Sequence, residues 1–349
     1  MRTAFRIIIG SILALSLLIG ISLTYFYFFI WKKPLLVNSP QKELYIPTNA
    51  SLKTVLDSIH DWPINMDTAS FALLARTKKL DLNVRPGKYI LEPEMNVNEF
   101  INLLRAGRQT PVRVTFSYVT TFPELAGKIA ASIEADSLSL LQEMTNLDRT
   151  WPDGISSENN RGVFIPNTYE MYWNSSASDF IERMIIEYHR FWSEARREKA
   201  RNIGLTPREV IILASIVERE TVKNDEMPKV AGLYLNRIRK GWKLQSDPTV
   251  IFSIQQSDPL FAPRRVLYQD LEFDSPYNTY KYHGLPPGPI SFPSTSALRA
   301  VLNAEQHEYM YMCANPDSPG YHSFARNDRE HQINKAKYVQ WLQKQGIRR

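Results

Sequence analysis

The chain has 349 residues, of which 44% are hydrophobic and 22% charged, so it can bury the cores of two or three globular units and is not globally disordered. Its 14 glycines and 22 prolines exclude collagen-like and Gly/Ser-linker architectures. A single cysteine, Cys313, excludes an internal disulfide framework and a cysteine-based zinc cage. The formal charge of +6 suggests an anionic partner such as a phospholipid headgroup or an acidic polymer, although a small excess charge also serves solubility.

The N-terminal stretch from Ile7 to Trp31 contains no charged residue and is rich in Ile, Leu, Phe and Tyr. In a helix that rises about 1.5 Å per residue, it is long enough to cross a hydrocarbon core of about 30 Å. It is too long for the apolar region of a signal peptide, and no A-x-A-like cleavage site follows it. We therefore predict a cytoplasmic tail and membrane anchor within residues 1–33, with Tyr25, Tyr27 and Trp31 as an interfacial aromatic belt. Basic residues flank the span on both sides, so their distribution does not determine its orientation.

A short proline-bracketed linker leads into residues 41–110, which are predicted to form a small β-α-α-β module. The order of these elements resembles the LysM fold, a small glycan-binding module of cell-wall proteins. The predicted strands and helices of the module are Glu43–Ile46, Leu52–Ile59, Thr68–Leu80 and Gly87–Leu91, followed by an amphipathic helix over Asn96–Ala106.

Residues 111–345 are predicted to form a mixed α+β domain, so the fold class of the whole chain is α+β. The domain opens with a strand over Pro111–Phe116. The charged run Arg196–Lys199 lies near the end of the predicted helix Asp179–Ile203. Such a run is typical of a solvated helix face, and no nucleic-acid partner is expected. The helices predicted in this part of the chain are Phe122–Ala135, Ser137–Thr145 and Asp179–Ile203.

The next predicted helix carries the candidate catalytic group. It begins at Thr206–Glu209, a capping box with proline at the first helical position. It continues through Val210–Val217, which is apolar on nearly all sides and is therefore predicted to be buried. Glu218 emerges from this apolar stripe, and partial desolvation should raise its pKa so that it can deliver a proton at neutral pH. By periodicity alone, a glutamate at the end of a buried helix is more often a salt-bridged surface residue than a catalytic one. Glu220 lies about 200° further around the helix and should not face the same cleft.

A helix over Lys229–Ile238 is predicted to follow, and Leu244–Ile251 is predicted to lead into a loop. The later segments Ser275–Tyr280 and Gly284–Ile290 interleave amide and hydroxyl groups with aromatic rings. Such surfaces suit a sugar, whose hydroxyls need polar partners and whose ring faces stack on aromatic planes. The proline-rich segment should have a rigid backbone and thereby help to preorganise a glycan cleft.

These segments resemble those of the endolytic murein transglycosylases, the MltG/YceG-like family. The family layout of an anchor, a LysM-like module and a catalytic domain also agrees with the predicted organisation. The segments that carry the resemblance are Ala214–Thr221, Leu244–Val250, Ser275–Tyr280, Gly284–Ile290, Tyr321–Phe324 and Glu330–His331.

The resemblance implies a single-pass protein of the inner (cytoplasmic) membrane with its catalytic domain on the periplasmic side. It implies that peptidoglycan glycan strands are cleaved without hydrolysis between N-acetylmuramic acid and N-acetylglucosamine, which leaves 1,6-anhydro ends. Peptidoglycan synthases are the implied partners, beside which nascent strands would be terminated or trimmed. No cofactor or metal is expected, and Glu218 is the implied acid/base. The implied substrate-binding residues are Gln245, Ser246, Asp247, Tyr277, Asn278, Thr279, Tyr280, Pro286 and His322.

The number of candidate carboxylates agrees with this chemistry. Hydrolysing glycosidases usually use two carboxyl groups, either about 5–5.5 Å or about 6.5–9.5 Å apart. A lyase needs one, because a hydroxyl of the substrate is the nucleophile and is already held close. The sequence offers one well-placed glutamate, Glu218. Asp247 is the second candidate, which we expect to orient or hydrogen-bond rather than to act as a nucleophile, or to serve as a helix cap or turn residue.

The chain departs from the family pattern at several positions. Arg161-Gly162 stands where Glu-Gly is common, Phe292-Pro293-Ser294 where Asn-Pro-Gly is usual, and Gln332 where Asn is common. These departures concern individual substrate contacts and not the position of Glu218.

Other chemistries lack their sequence signatures. No H-E-x-x-H or comparable metal-ligand spacing is present, and no G-x-S-x-G elbow marks a serine hydrolase. Cys313 follows an apolar run and is predicted to be a buried core residue. The remaining alternative is a non-catalytic, membrane-tethered scaffold that binds peptidoglycan in the cell-wall synthesis machinery.

Overall fold

The computed structural model describes residues 2–28, 34–36, 40–64, 68–258, 260–262 and 265–346. Its contacts divide the chain into two compact units. The first comprises Met1–Val114, Ser132–Ala135 and Tyr169–Ser176, and the second comprises Thr115–Ala131, Asp136–Thr168 and Ala177–Arg349.

The N-terminal helix, α1, extends over Arg2–Tyr27. Its segment Phe5–Tyr27 has 23 residues and is long and apolar enough to cross a membrane. Its apolar side chains are exposed rather than packed into a core. Trp31, which we predicted to belong to the aromatic belt, lies outside the described residues.

The module after α1 has the predicted β-α-α-β order. Strand β1 (Lys42–Ile46) pairs antiparallel with β2 (Gly87–Leu91), with Lys42 opposite Leu91 and Ile46 opposite Gly87. Two helices connect these strands, and a third helix follows them. These helices are α2 (Leu52–Ser58), α3 (Thr68–Thr77) and α4 (Val97–Ala106).

Local sequence signals explain the boundaries of these elements. Ser51 and Asn96 each form a capping box at the start of a helix. Gly107 ends α4 with φ of 65°, a left-handed conformation that glycine adopts without strain. Alternate residues of β2 point into a core that also receives the apolar faces of the three helices. Large buried members of this core include Leu44, Ile46, Phe71, Tyr89 and Phe100.

From residue 112 onward, helices predominate and the strands pair two by two. Strand β3 pairs with β4, and β5 pairs antiparallel with β6. The elements in chain order are β3 (Val112–Phe116), α5 (Phe122–Ala130), α6 (Ser137–Met144), β4 (Asn167–Met171), α7 (Ala177–Phe191), α8 (Glu194–Asn202), α9 (Pro207–Glu220), α10 (Met227–Arg239), α11 (Asp247–Ser257), α12 (Thr295–Leu302), β5 (Tyr311–Ala314), β6 (His322–Ala325) and α13 (Asp328–Lys344).

Two predicted helices differ from the structure. Helix α5 ends at Ala130 rather than at residue 135, and the chain turns there. The predicted helix over Asp179–Ile203 is two helices, α7 and α8, because Ser193 has an extended backbone with ψ of 159° and restarts the helix as an N-cap. The aromatic pair before this break, Phe191 and Trp192, is buried.

Two further predictions in this region were wrong. The segment predicted to lead into a loop instead begins α11 at Asp247, with Ser246 as its N-cap and a proline in the first turn. Cys313, predicted to be a core residue, is only partly buried on strand β5.

Helix α9 is central to the second unit, where it packs against α10, α11 and α12. Residues Val210–Val217 are all buried, as their apolar character predicts. Gly162, in a short 3-10 helix over Ser157–Val163, lies against α9 so closely that an added Cβ would be 2.2 Å from Cγ2 of Ile211. A glycine is therefore needed where these two segments meet.

Candidate active site

Helix α9 holds Glu218 near its C-terminal end and is fixed at its start by the predicted capping box. The backbone N–H of Thr206 donates to Oε2 of Glu209 at 2.7 Å, and the N–H of Glu209 donates to Oγ1 of Thr206 at 3.3 Å. In the middle of the helix, the buried Ser215 Oγ donates to the carbonyl of Ile212 at 2.7 Å and accepts from the N–H of Ile290 at 3.0 Å. This serine thus anchors the proline-rich segment to the helix that carries Glu218.

Glu218 lines a cavity of about 520 Å³, hereafter the Glu218 cavity. Its wall is formed by the ends of β3 and α9, the start of β4 and the segment that enters α12. Among the described residues that line it, Glu218 is the only carboxylate. The polar side chains around it are Thr115, Ser117, Tyr118, Asn167, Thr168, Arg219, Thr221, Asn224, Ser291, Ser294 and Ser296.

The environment of Glu218 favours its protonated form. Desolvation by burial raises the pKa of Glu218 above its usual value, as predicted from the apolar stripe. Two neighbours oppose this effect. The N–H of Ser294 donates to Oε1 and Oε2 of Glu218 at 3.1 and 3.3 Å, and the positive charge of Arg219 also lowers the pKa. The net upward direction places Glu218 closer to the range in which a carboxyl group can both give and take a proton at neutral pH.

Glu220 lies on the other side of α9, as the helical period predicts, and does not line the Glu218 cavity. Its Oε1 accepts hydrogen bonds from Oη of Tyr234, at 2.7 Å, and from Oγ of Ser246. Burial raises the pKa of Glu220, and these two hydroxyl donors oppose the rise. Glu220 therefore joins the end of α9 to α10 and to the start of α11.

Four of the nine residues predicted to bind substrate are buried. Ser246, Asn278, Thr279 and Pro286 all lie below the surface. Nδ2 of Asn278 donates to the carbonyls of Leu271 and Phe273 at 2.9 and 2.8 Å. Oγ1 of Thr279 accepts from the N–H of Ser246 at 3.0 Å. These hydrogen bonds join the segment around Asn278 and Thr279 to Leu271, Phe273 and Ser246.

Two of the other predicted residues meet at a separate cavity. Oη of Tyr280 donates to Oδ1 of Asp247 at 2.6 Å, and both residues line a cavity of about 480 Å³ together with Leu267 and Tyr268. Desolvation by burial raises the pKa of Tyr280, and the hydrogen bond to Asp247 raises it further. Asp247 thus orients a tyrosine.

The three remaining predicted residues are dispersed. Gln245 is exposed and has φ of 52°, while its N–H donates to the carbonyl of Thr279 at 3.1 Å. Oη of Tyr277 donates to Oδ1 of Asn159 at 2.9 Å. Nδ1 of His322 lies 2.9 Å from Oε2 of the buried Glu226, and His322 lines a third cavity of about 300 Å³.

The sequence reasoning missed most of the residues around Glu218. Ser294, which hydrogen-bonds the Glu218 carboxylate and caps α12, was noted only as a departure from the family pattern. Asn167 and Thr168 come from a segment about 50 residues before Glu218, and Tyr118 from about 100 residues before it. The Ser-Thr-Ser signal of a helix start was readable at Ser294, but its approach to Glu218 depends on tertiary folding.

The cavity therefore combines one carboxyl group of raised pKa with a wall of hydroxyl and amide groups. Such a carboxyl group can protonate a leaving oxygen and later accept a proton from an attacking hydroxyl. The hydroxyl and amide groups are suitable partners for a ligand rich in hydroxyl groups.

Comparison with known proteins identifies relatives that match most of the chain. A family model described as the YceG-like family matches residues 44–337. A Bacillus subtilis protein named endolytic murein transglycosylase is 27% identical over 310 residues, which cover 84% of both chains. A Streptococcus pneumoniae protein of the same name is 25% identical over 296 residues, or 77% of this chain and 53% of the relative. A crystal structure of a YceG-like protein from Listeria monocytogenes matches with a TM-score of 0.55 and 25% identity over 84% of this chain and 98% of that chain.

Proposed function

This chain belongs to the YceG-like family, and from that premise we propose that it is a membrane-anchored endolytic transglycosylase that cleaves peptidoglycan glycan strands. Two relatives that are 27% and 25% identical to it are named endolytic murein transglycosylases. The single observation that carries the proposal is the presence of one carboxyl group of raised pKa, Glu218, in a cavity lined by hydroxyl and amide groups.

In the proposed reaction, protonated Glu218 donates its proton to the glycosidic oxygen as the bond from C1 of N-acetylmuramic acid to O4 of N-acetylglucosamine breaks. The Glu218 carboxylate then removes the proton from the muramyl C6 hydroxyl as its oxygen bonds to C1. Glu218 ends the cycle protonated, and no water is consumed. The products are a free O4 hydroxyl and a 1,6-anhydro end.

The lone carboxylate favours this reaction over hydrolysis. A hydrolase needs a second carboxyl group to activate water or to form a covalent intermediate. Asp247 lines a different cavity and is engaged by Tyr280. The intramolecular C6 hydroxyl needs only a base that is already present, and its proximity replaces the second group.

Five of the residues predicted to bind substrate are at least partly exposed. We propose that they contact glycan units other than the two joined by the bond that is cleaved. Gln245, Asp247, Tyr277, Tyr280 and His322 each present polar atoms or ring surface at or near the protein surface. The buried Ser246, Asn278 and Thr279 would act by holding these groups in place. A tyrosine oriented by a carboxylate is a suitable platform for a sugar ring.

Helix α1 is proposed to anchor the enzyme in the cytoplasmic membrane, with the β-α-α-β module and the second unit on the extracytoplasmic side where peptidoglycan lies. Its 23-residue apolar segment is long enough to span the bilayer. The β-α-α-β module is proposed to be LysM-like and either to bind glycan or to space the enzyme from the membrane. Cleavage beside the synthases would terminate or trim nascent strands.

The test is digestion of purified peptidoglycan by the detergent-solubilised full chain and by Glu218→Gln, with mass spectrometry of the products. Anhydro-muramyl ends from the wild type alone are expected. Glu308→Gln is the matched control, because the Glu308 side chain is 80% exposed, and it should behave like the wild type. Reducing ends would identify a hydrolase, and the absence of cleavage by the wild type would favour the non-catalytic scaffold.

A further inference from the structure

A further pocket, distinct from the three cavities described above, adjoins the Glu218 cavity and is basic. It has a volume of about 220 Å³, and Arg219 lines both it and the Glu218 cavity. We call it the arginine pocket, defined by Arg161, Arg219, Thr120, Gln255 and Gln256 with the apolar residues around them. None of the described residues that line it is acidic.

Arg161 is held in this pocket by aromatic rings. Its Cζ lies 5.2 Å from the centroid of the Phe122 ring and 5.3 Å from that of Phe252, and both phenylalanines are buried. Cation–π contacts of this kind hold a guanidinium in place through its faces. They leave its N–H groups, which point outward in the plane of the group, available to an acceptor.

The described residues supply no such acceptor. The Nε of Arg161 is buried without a hydrogen-bond partner, and no hydrogen bond or ion pair of this side chain occurs within the described part of the chain. Glu124, an acid two residues from Phe122 in the sequence, accepts from the N–H of Thr120 at 3.0 Å and forms an ion pair with Lys128 at 3.1 Å. A buried cation without a counter-charge is costly unless an anion completes its environment. Burial lowers the pKa of Arg161, which agrees with this missing partner.

We propose that the arginine pocket binds a carboxylate carried by the muramyl substituent of the substrate strand. A guanidinium pairs with a carboxylate through two parallel hydrogen bonds, and Gln255, Gln256 and Thr120 offer further polar contacts. Because Arg219 is shared with the Glu218 cavity, the anion belongs to the strand that is being cleaved. A muramyl residue carries a carboxylate on its lactyl group where no peptide is attached, and on its peptide stem where one is. The inference rests on the proposed function, which it extends to substrate selection.

The experiment compares three forms of one glycan preparation. The first has intact peptide stems, the second has been stripped by an amidase and exposes the lactyl carboxylate, and the third has had all its carboxylates amidated. The ratio of kcat/KM between a carboxylate-bearing form and the amidated form measures the preference for charge. We expect a preference of about tenfold to a hundredfold in the wild type, as is typical of a hydrogen-bonded ion pair.

Substitutions test whether the preference originates in the pocket. Arg161→Met, which keeps an unbranched apolar chain against the two rings, should reduce the ratio close to one, and Arg161→Lys should reduce it less. Arg219→Gln is the second variant, because Arg219 is exposed and its loss should not affect folding; it should also reduce the ratio. Arg239→Gln, an exposed arginine on α10 outside the pocket, removes the same charge and should keep the wild-type ratio.

Each outcome has a defined meaning. A preference seen with stripped strands identifies the lactyl carboxylate, and one seen only with intact stems identifies a peptide carboxylate. A wild-type ratio of one, an unchanged ratio in both Arg161→Met and Arg219→Gln, or an equal loss in Arg239→Gln would overturn the proposal. If the wild type cleaves nothing, the proposed function fails, and binding of the three glycan forms to Glu218→Gln by calorimetry still decides whether the pocket prefers a carboxylate.

Discussion

Replacement of Glu218 by glutamine should remove catalysis and at the same time stabilise the protein at neutral pH. The wild-type carboxyl group has a pKa raised by burial, so its ionisation at neutral pH is unfavourable in the folded state. Glutamine has nearly the same shape, can still accept from the N–H of Ser294, and does not ionise. An active-site charge that lowers stability is a common compromise between activity and stability.

The size of the effect follows from proton linkage. A raised folded-state pKa means that the unfolded chain ionises first as pH rises above about 4.3, the ordinary value for glutamate. The wild type therefore loses stability between that pH and the folded-state pKa, and the loss is constant above it. Each unit by which the pKa of Glu218 is raised corresponds to about 1.4 kcal/mol. For a domain of 150–250 residues, 1 kcal/mol shifts the melting temperature by about 2–4 °C.

The assay is thermal unfolding of the detergent-solubilised full chain and of Glu218→Gln across the range from about pH 4 to pH 8, which brackets the ordinary pKa of glutamate. The advantage of the variant should increase as pH rises and then level off, and any pH-independent effect of the substitution cancels in this comparison. The pH at which the difference levels off should match the pKa at which kcat/KM of the wild type falls as pH rises, because the reaction begins with protonated Glu218. A difference that does not change with pH, or that moves in favour of the wild type as pH rises, would refute the desolvation argument.

Three other substitutions test the framework that holds Glu218. Gly162→Ala should lower the free energy of unfolding by about 1–3 kcal/mol, because the new methyl would lie 2.2 Å from Cγ2 of Ile211, and an unchanged denaturation midpoint would show that α9 tolerates the contact. Ser215→Ala should lower it by about 1–3 kcal/mol, because it leaves the buried N–H of Ile290 without its acceptor; equal stability in urea would contradict this role. Tyr234→Phe should lower the free energy of unfolding by about 1–3 kcal/mol, because it removes the 2.7 Å hydrogen bond to Glu220. The cleavage products should stay the same, and a change from anhydro to reducing ends would place Glu220 in the reaction.

The parts of the fold that local signals specify were predictable from the sequence. The capping box at Thr206 and the apolar run after it located α9 and its burial, and with them the position and raised pKa of Glu218. The β-α-α-β order of the module was predicted in the same way, from alternating strands and capped helices. In these segments, propensity, pattern and tertiary packing agree.

The predictions that were wrong concern features that depend on tertiary structure or on a weak local signal. The helix over Asp179–Ile203 was predicted without a break, whereas Ser193 has an extended backbone and separates α7 from α8, next to the buried Phe191 and Trp192. The sequence Ser246-Asp247-Pro248 is typical of a helix start, with a capping serine and a proline in the first turn, but this segment was predicted to lead into a loop. The family resemblance implied that Ser246 contacts substrate, and the structure shows its hydroxyl buried and donating to Glu220.

The composition of the active site was the least predictable part. Residues from β3, from the start of β4 and from the segment before α12 surround Glu218, and no periodicity relates segments so distant in sequence. The phenylalanine contacts of Arg161 are likewise non-local, because Phe122 and Phe252 are 130 residues apart. A departure from the family pattern marked Arg161 in the sequence, but its unpaired and stacked position is visible only in the structure.

In the proposed reaction a hydroxyl of the substrate, and not water, attacks C1 of the muramyl residue as the glycosidic bond breaks. The most direct measurement is digestion of peptidoglycan by the wild-type chain in water enriched in a heavy oxygen isotope, with mass spectrometry of the new muramyl ends. We expect anhydro ends that are one water mass lighter than reducing ends and carry no heavy oxygen. Reducing ends that carry one heavy oxygen atom from the solvent would contradict it.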